Sequence, residues 1–227
     1  MDGNITLAIK TKVKAEGRVY MDRILEGKKV AVLIETEYIE KEATYYKEFF
    51  TSHGAKVDFM TYLLGKPERV IVSDVTEVDQ PVQSMIVKKE IAECNPNDYA
   101  IVLTAANYVA CRLREIPPMG SLGDVSLLRS PAAVRFMAGA MMNPQIVKGA
   151  LCHALWILTP VPELLKGRKV ICHTVVLADV VNAGGIYVPD ESHVVVDKDL
   201  VTGRSAEDLE IYCESLLATF CKINYKP

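Results

Sequence analysis

Lys148-Gly149-Ala150-Leu151-Cys152-His153-Ala154-Leu155 reads as a strand end running straight into an apolar helix. That junction sets a thiol and an imidazole where α/β sheets usually do chemistry. Cysteine is a nucleophile as its thiolate, and a helix N-terminus favours the thiolate through unpaired N–H groups and a positive dipole end. The same N–H groups steady a developing oxyanion. Cys152 fits equally well as a small buried filler, since free cysteine is among the most buried residue types. The octapeptide alone leaves both readings open.

The flanks supply the fold. Lys29-Val30-Ala31-Val32-Leu33-Ile34 and Tyr99-Ala100-Ile101-Val102-Leu103 are continuous apolar runs, the pattern of strands buried on both faces. Further strands are predicted at 56–61, 69–73, 146–151 and 168–172. Helices are predicted at 40–53 (closed by Gly54), 82–93, 131–142, 153–165 and 175–182, with Pro160 and Pro162 shortening the one after Cys152. Residues 194–202 read as a polar-tipped β-hairpin and 206–221 as a closing amphipathic helix. Residues 114–130, with Pro117, Pro118, Gly120 and Gly123, read as a long loop. Alternation of this kind predicts an α/β fold: a flavodoxin-like, mostly parallel sheet with helices on both faces, a three-layer α/β/α sandwich. Ahead of it, the alternation of Ile5, Leu7, Ile9 and Val13 with polar residues predicts an extra strand, and 18–25 a short helix.

The 227 residues are 50% hydrophobic and 24% charged, ordinary for a globular chain. A net charge of −3 without a basic run argues against nucleic acid and anionic membranes as partners. No apolar run approaches the roughly 20 residues that span a bilayer. Lys10, Lys12, Lys14, Arg18 and Arg23 break up residues 1–27, which therefore do not read as a signal peptide. Cys94, Cys111, Cys152, Cys172, Cys213 and Cys221 show no Cys-x-x-Cys spacing, which predicts reduced thiols in a cytoplasm and no metal site.

In this order, four features resemble the ThiJ/PfpI family of the class I glutamine amidotransferase-like superfamily. They are the first strand with Tyr38-Ile39-Glu40-Lys41-Glu42; the elbow Leu151-Cys152-His153; Lys166-Gly167-Arg168-Lys169-Val170 with His173 and Asn182-Ala183-Gly184; and the terminal hairpin. The resemblance covers roughly 28–222, so 28–227 is read as the family domain and 1–27 as an N-terminal extension. It implies that Cys152 is the elbow nucleophile, that Glu42 hydrogen-bonds the thiol, and that His153 or His173 moves protons. It implies a small-molecule substrate, a homo-oligomer of two or more copies, and no cofactor.

The chain also departs from the family. Thr104-Ala105-Ala106-Asn107-Tyr108 stands where the family carries Pro-Gly-Gly. Ala110 stands where a Glu would orient the histidine, and Ala154 where a glycine follows Cys-His. The peptidase triad is therefore incomplete. Ala105, Ala106, Asn107, Tyr108 and Ala154 become candidates for an oxyanion hole or substrate surface, with Arg112 and Arg114 as candidates for an anionic substrate group. Fold does not fix function, and three expectations stand. The first is a cysteine-dependent hydrolase or lyase acting on a small carbonyl or amide compound. The others are a redox-responsive or ligand-binding protein, and an oligomeric pseudoenzyme.

Overall fold

The computed structural model describes residues 23–75, 81–116, 120 and 122–225. The strand and most of the short helix expected within 5–25 lie outside them. Short aliphatic runs build the centre: β1 (Lys29–Leu33), β2 (Lys56–Met60), β5 (Ile101–Thr104), β6 (Val147–Leu151), β9 (Val194–Asp197) and β10 (Leu200–Gly203) form one sheet in the order β2-β1-β5-β6-β10-β9. All pairings are parallel except β9 with β10, the hairpin read from the sequence. Every residue of β5, β6 and β10 is buried, as expected for strands covered on both faces.

Helices α1 (Glu40–Ser52) and α5 (Leu209–Asn224) pack together and against the sheet on one side. Helices α2 (Val109–Leu113), α3 (Ala132–Met142) and α4 (Thr174–Asn182) gather around the turn after β6 on the other. The outcome is the three-layer α/β/α arrangement. Gly149 in β6 and Gly203 in β10 lack side chains where the Tyr212 ring of α5 crosses the sheet. Fully buried Lys148 ties the hairpin down: its ammonium donates to the carbonyls of Asn143 (2.9 Å) and Ile146 (2.8 Å) and pairs with Asp199, which also accepts from Arg168 (2.8 Å).

Several expected elements differ. Residues 82–93 are not a helix: Ser84–Val87 is strand β4, antiparallel to β3 (Arg69–Val72) in a separate ribbon, and Ile91–Glu93 is a 3-10 turn. Helix-favouring Lys88-Lys89-Glu90 is overruled because Thr61 takes its neighbours' hydrogen bonds, donating to Lys89 O (3.1 Å) and accepting from Ile91 N (3.1 Å). Likewise β7 (Lys169–Val170) pairs with β8 (Ile186–Tyr187), outside the main sheet. Residues 153–165 form 3-10 turns at Ala154–Leu158 and Pro162–Leu164 instead of an α-helix. Pro160 and Pro162 have no N–H to continue an α-helical ladder.

A Cβ at position 149 would collide with Tyr212 Oη and Leu103 Cδ2 and press on Leu216 Cδ2 at 3.0 Å. Gly149→Ala is therefore expected to destabilise the fold by about 1–3 kcal/mol, the usual cost of overpacking a core. Urea unfolding checks this, and an unchanged midpoint would contradict the close packing of α5 on the sheet.

Candidate active site

The chain steps from β1 out to β2 and later returns to β5 on the other side of β1, making a topological switch point. Open α/β sheets place their ligand sites outside the strand C-termini at such a point. Here the turns after β1, β5 and β6 meet around Cys152.

Cys152 follows β6 with φ +59°, a left-handed conformation that costs a non-glycine residue roughly 1–3 kcal/mol. Two hydrogen bonds hold it there. Its N–H donates to Gly203 O at the end of β10 (2.8 Å), and its carbonyl accepts from His173 N (3.2 Å). The residue is 7% exposed, and its Sγ lies 2.9 Å from His153 Nδ1.

The thiol is not pre-ionised. Burial is the main cause pushing its pKa up to about 12, and the Glu42 charge adds to it. The backbone N–H groups of His153 and Asn107 pull the other way, and nearby Cys172 adds a small upward push. The activating helix expected after Cys152 is a five-residue 3-10 turn, too short to sum many aligned peptide dipoles.

Glu42, in the first turn of α1, is buried to 1% exposure. Tyr46 Oη donates to its Oε1 (2.6 Å), and Ala106 N–H donates to both oxygens (3.0 Å each). Burial outweighs these bonds and raises its pKa to about 7. Both oxygens are thus engaged elsewhere, and the expected hydrogen bond to the thiol is not formed; Glu42 acts on Cys152 through its charge.

His153 stacks on His173, with ring centroids 4.9 Å apart and planes 16° from parallel. Burial first, then repulsion from His173, lowers the His153 pKa. In the neutral tautomer protonated at Nε2, His153 Nδ1 is the acceptor for the Cys152 S–H. His173 caps α4, its Nδ1 accepting from Val175 N (3.2 Å), so it is a scaffold as well as a neighbour. No carboxylate among the described residues hydrogen-bonds either imidazole, and Ala110 is buried in α2.

The β5 turn divides its amides. Ala105 N–H donates to Leu33 O (2.9 Å) and Ala106 N–H to Glu42, so neither is free for an oxyanion. Asn107, with φ +61°, turns its N–H to the sulfur. Its side chain donates to Glu37 O (2.9 Å) and Asp74 Oδ2 (2.7 Å). Ala154 is buried at the start of the 3-10 turn. Tyr108 is 46% exposed and forms an aromatic wall with His153 (5.9 Å) and Trp156 (6.5 Å).

The two arginines are already committed. Arg112 pairs with Glu37 (2.7 Å), while Arg114 lies over the Trp156 ring (5.5 Å) and donates to Trp156 O (3.2 Å) and Thr159. Arg112 is thus ion-paired, whereas Arg114 is held by an aromatic ring and neutral oxygens. Glu37, Asp74 and Trp156 did not emerge from the sequence. Their loops are far apart along the chain, and no spacing rule links them.

Residues 118–219 match the model of the DJ-1/PfpI family. An uncharacterized protein of Staphylococcus haemolyticus is 31% identical over 183 residues, covering 81% of this chain and 92% of the relative. Protein/nucleic acid deglycase 2 of Escherichia coli is 27% identical over 187 residues, covering 82% and 94%. Among solved structures, DJ-1 of Schizosaccharomyces pombe superposes with a TM-score of 0.62 at 15% identity, covering 88% of this chain and all of that one. A two-domain Anabaena variabilis protein with DJ-1/ThiJ/PfpI-like and ferritin-like domains gives 0.70 at 22% identity. The match covers 88% of this chain and half of that longer chain. At these identities the structural likeness is one of fold.

Glu42 carries a pH signature. Its folded pKa, about 7, lies above the ordinary glutamate value of 4.5, so the folded state holds an extra proton between them. Its contribution to stability therefore falls as pH rises through that window and is flat above it. Glu42→Gln removes the titration. The stability of the variant relative to wild type is expected to improve by about 2–3 kcal/mol between pH 4.5 and pH 8, read from urea midpoints at each pH.

Proposed function

Since the chain belongs to the DJ-1/PfpI family, we propose that it is a cysteine-dependent enzyme acting on a small carbonyl or amide compound, with Cys152 as the nucleophile. The observation carrying this reading is the contact of 2.9 Å between Cys152 Sγ and His153 Nδ1, at a clamped left-handed elbow. A thiol held beside an acceptor imidazole is the arrangement general-base activation needs. The name of the Escherichia coli relative favours the carbonyl branch, since a deglycase removes carbonyl-derived adducts.

The steps follow from the groups present. Cys152 Sγ adds to the carbonyl carbon as the C=O π bond breaks, and its proton passes to His153 Nδ1. The new alkoxide meets the Asn107 and His153 N–H groups, which shift from sulfur to oxygen. His153 then returns the proton to that oxygen, completing a hemithioacetal with atoms and charge balanced. His173 beneath His153 disfavours the imidazolium by repulsion, so the proton is readily given back. Glu42, near half ionised at neutral pH, tunes the thiol from behind. Peroxide sensing asks for an accessible thiol of low pKa; a thiol 7% exposed and pushed up to about 12 suits the carbonyl reading better.

The test is turnover of glyoxal and methylglyoxal by wild type, Cys152→Ala and His153→Ala. Cys152→Ala is expected to fall to the uncatalysed rate, and His153→Ala by about 10²–10⁴-fold, the usual worth of a positioned base. Activity is expected to fade as pH drops through a value below the ordinary imidazole pKa of about 6.5, because His153 must be neutral to accept the proton. Full activity in Cys152→Ala would overturn the reading.

A further inference from the structure

Asn107 occupies the left-handed region without being glycine, which an asparagine tolerates but does not prefer. Its side chain explains why it stays there. Nδ2 has two N–H groups, and each has an acceptor from a different loop: the carbonyl of Glu37 after β1, at 2.9 Å, and the carboxylate of Asp74 after β3, at 2.7 Å. Both partners are acceptors, so the amide nitrogen must be the atom turned towards them.

The partners are themselves fixed. Asp74 N donates to Tyr38 O (2.8 Å), and Asp74 Oδ1 accepts from Val75 N (2.8 Å). Glu37 N donates to Val72 O (2.8 Å), while its carboxylate holds Arg112 of α2. Ala105 and Ala106 have spent their amides on Leu33 and Glu42. That leaves Asn107 as the residue of this turn whose N–H bears on the sulfur. With α2 fixed downstream, a change of φ at Asn107 would swing the Ala106–Asn107 peptide and carry that N–H away.

We propose that Asp74 is a positioning residue: by anchoring the Asn107 side chain it holds the left-handed turn that aims the Asn107 N–H at Cys152 Sγ. This gives the chain a way to keep such a turn without a glycine at position 107. The proposal rests on Cys152 being the reactive centre of the site, but its test needs no substrate.

The test measures iodoacetamide alkylation of Cys152 at pH 8 by peptide mapping, with exposed Cys111 in the same digest as internal reference. The reagent is uncharged, so the rate follows the thiolate fraction. Asp74→Ala is expected to slow Cys152 about tenfold relative to Cys111, the scale of losing one charge-assisted hydrogen bond to the thiolate. Deleting a negative charge without any change of geometry would do the opposite and speed the reaction. Asp74→Asn keeps an acceptor oxygen and is expected to restore the rate to within about threefold of wild type. In the Asn107→Gly background, where glycine takes the left-handed turn freely, adding Asp74→Ala is expected to change the rate by less than about twofold.

A faster or unchanged rate in Asp74→Ala overturns the proposal. So does equal slowing in Asp74→Asn, or an undiminished effect in the Asn107→Gly background. Thermal unfolding of each variant separates these results from misfolding. Failure of the nucleophile assignment shows elsewhere, as turnover retained in Cys152→Ala.

Discussion

The site depends on a clamp on one strained residue. Cys152 sits at φ +59° because its N–H is claimed by Gly203 O and its carbonyl by His173 N. Those bonds tie the end of β6 to the end of β10 and to the segment entering α4. They turn the sulfur away from the strand axis towards the β5 turn, and they set His153 immediately beside it. The strain of about 1–3 kcal/mol is held by a sheet whose central strands are wholly buried. The buried Lys148–Asp199 pair anchors the other end of the same hairpin.

Burial, more than dipoles, sets the chemistry around that clamp. It raises the Cys152 thiol and the Glu42 carboxyl, and it lowers His153. Each shift favours the uncharged form, so the resting site is a neutral thiol against a neutral imidazole, with a carboxyl close to its midpoint. A pre-formed thiolate would need a strong local field. The 3-10 turn after Cys152 is too short to supply one, and the two N–H groups on the sulfur offset burial only in part. Proton transfer concerted with attack then becomes the economical route, which is why the His153 contact matters more than the intrinsic acidity of Cys152.

Most of the architecture was legible because it follows from periodicity and breakers. Val30–Ile34 and Ile101–Leu103 cannot be solvated, Gly54 stops α1, and the polar tip at 197–199 marks the hairpin. The errors lie where tertiary contacts decide. Residues 84–87 are extended because β3 pairs with them, although Lys88 to Glu93 are good helix formers. The segment after Cys152 forms 3-10 turns in place of an α-helix, a larger effect of Pro160 and Pro162 than the shortening expected of them. At the site, Cys152, His153, His173 and Glu42 fall into one neighbourhood, yet their partners were not readable. Glu42 turns to Tyr46 and Ala106, and Arg112 to Glu37. Asn107 was the one available hint, being a residue type that tolerates left-handed backbone. The anchoring role of Asp74 needs three loops in space and leaves no pattern in one dimension.

The account turns on the resting protonation state of the Cys152–His153 pair, and the pH profile of Cys152 alkylation from pH 5 to pH 10.5, followed by peptide mapping, measures it most directly. A neutral pair with the thiol pKa pushed up to about 12 predicts a rate that is small at neutral pH and still rising at the alkaline end. A plateau reached by about pH 7 would reveal a thiolate–imidazolium pair and contradict the account.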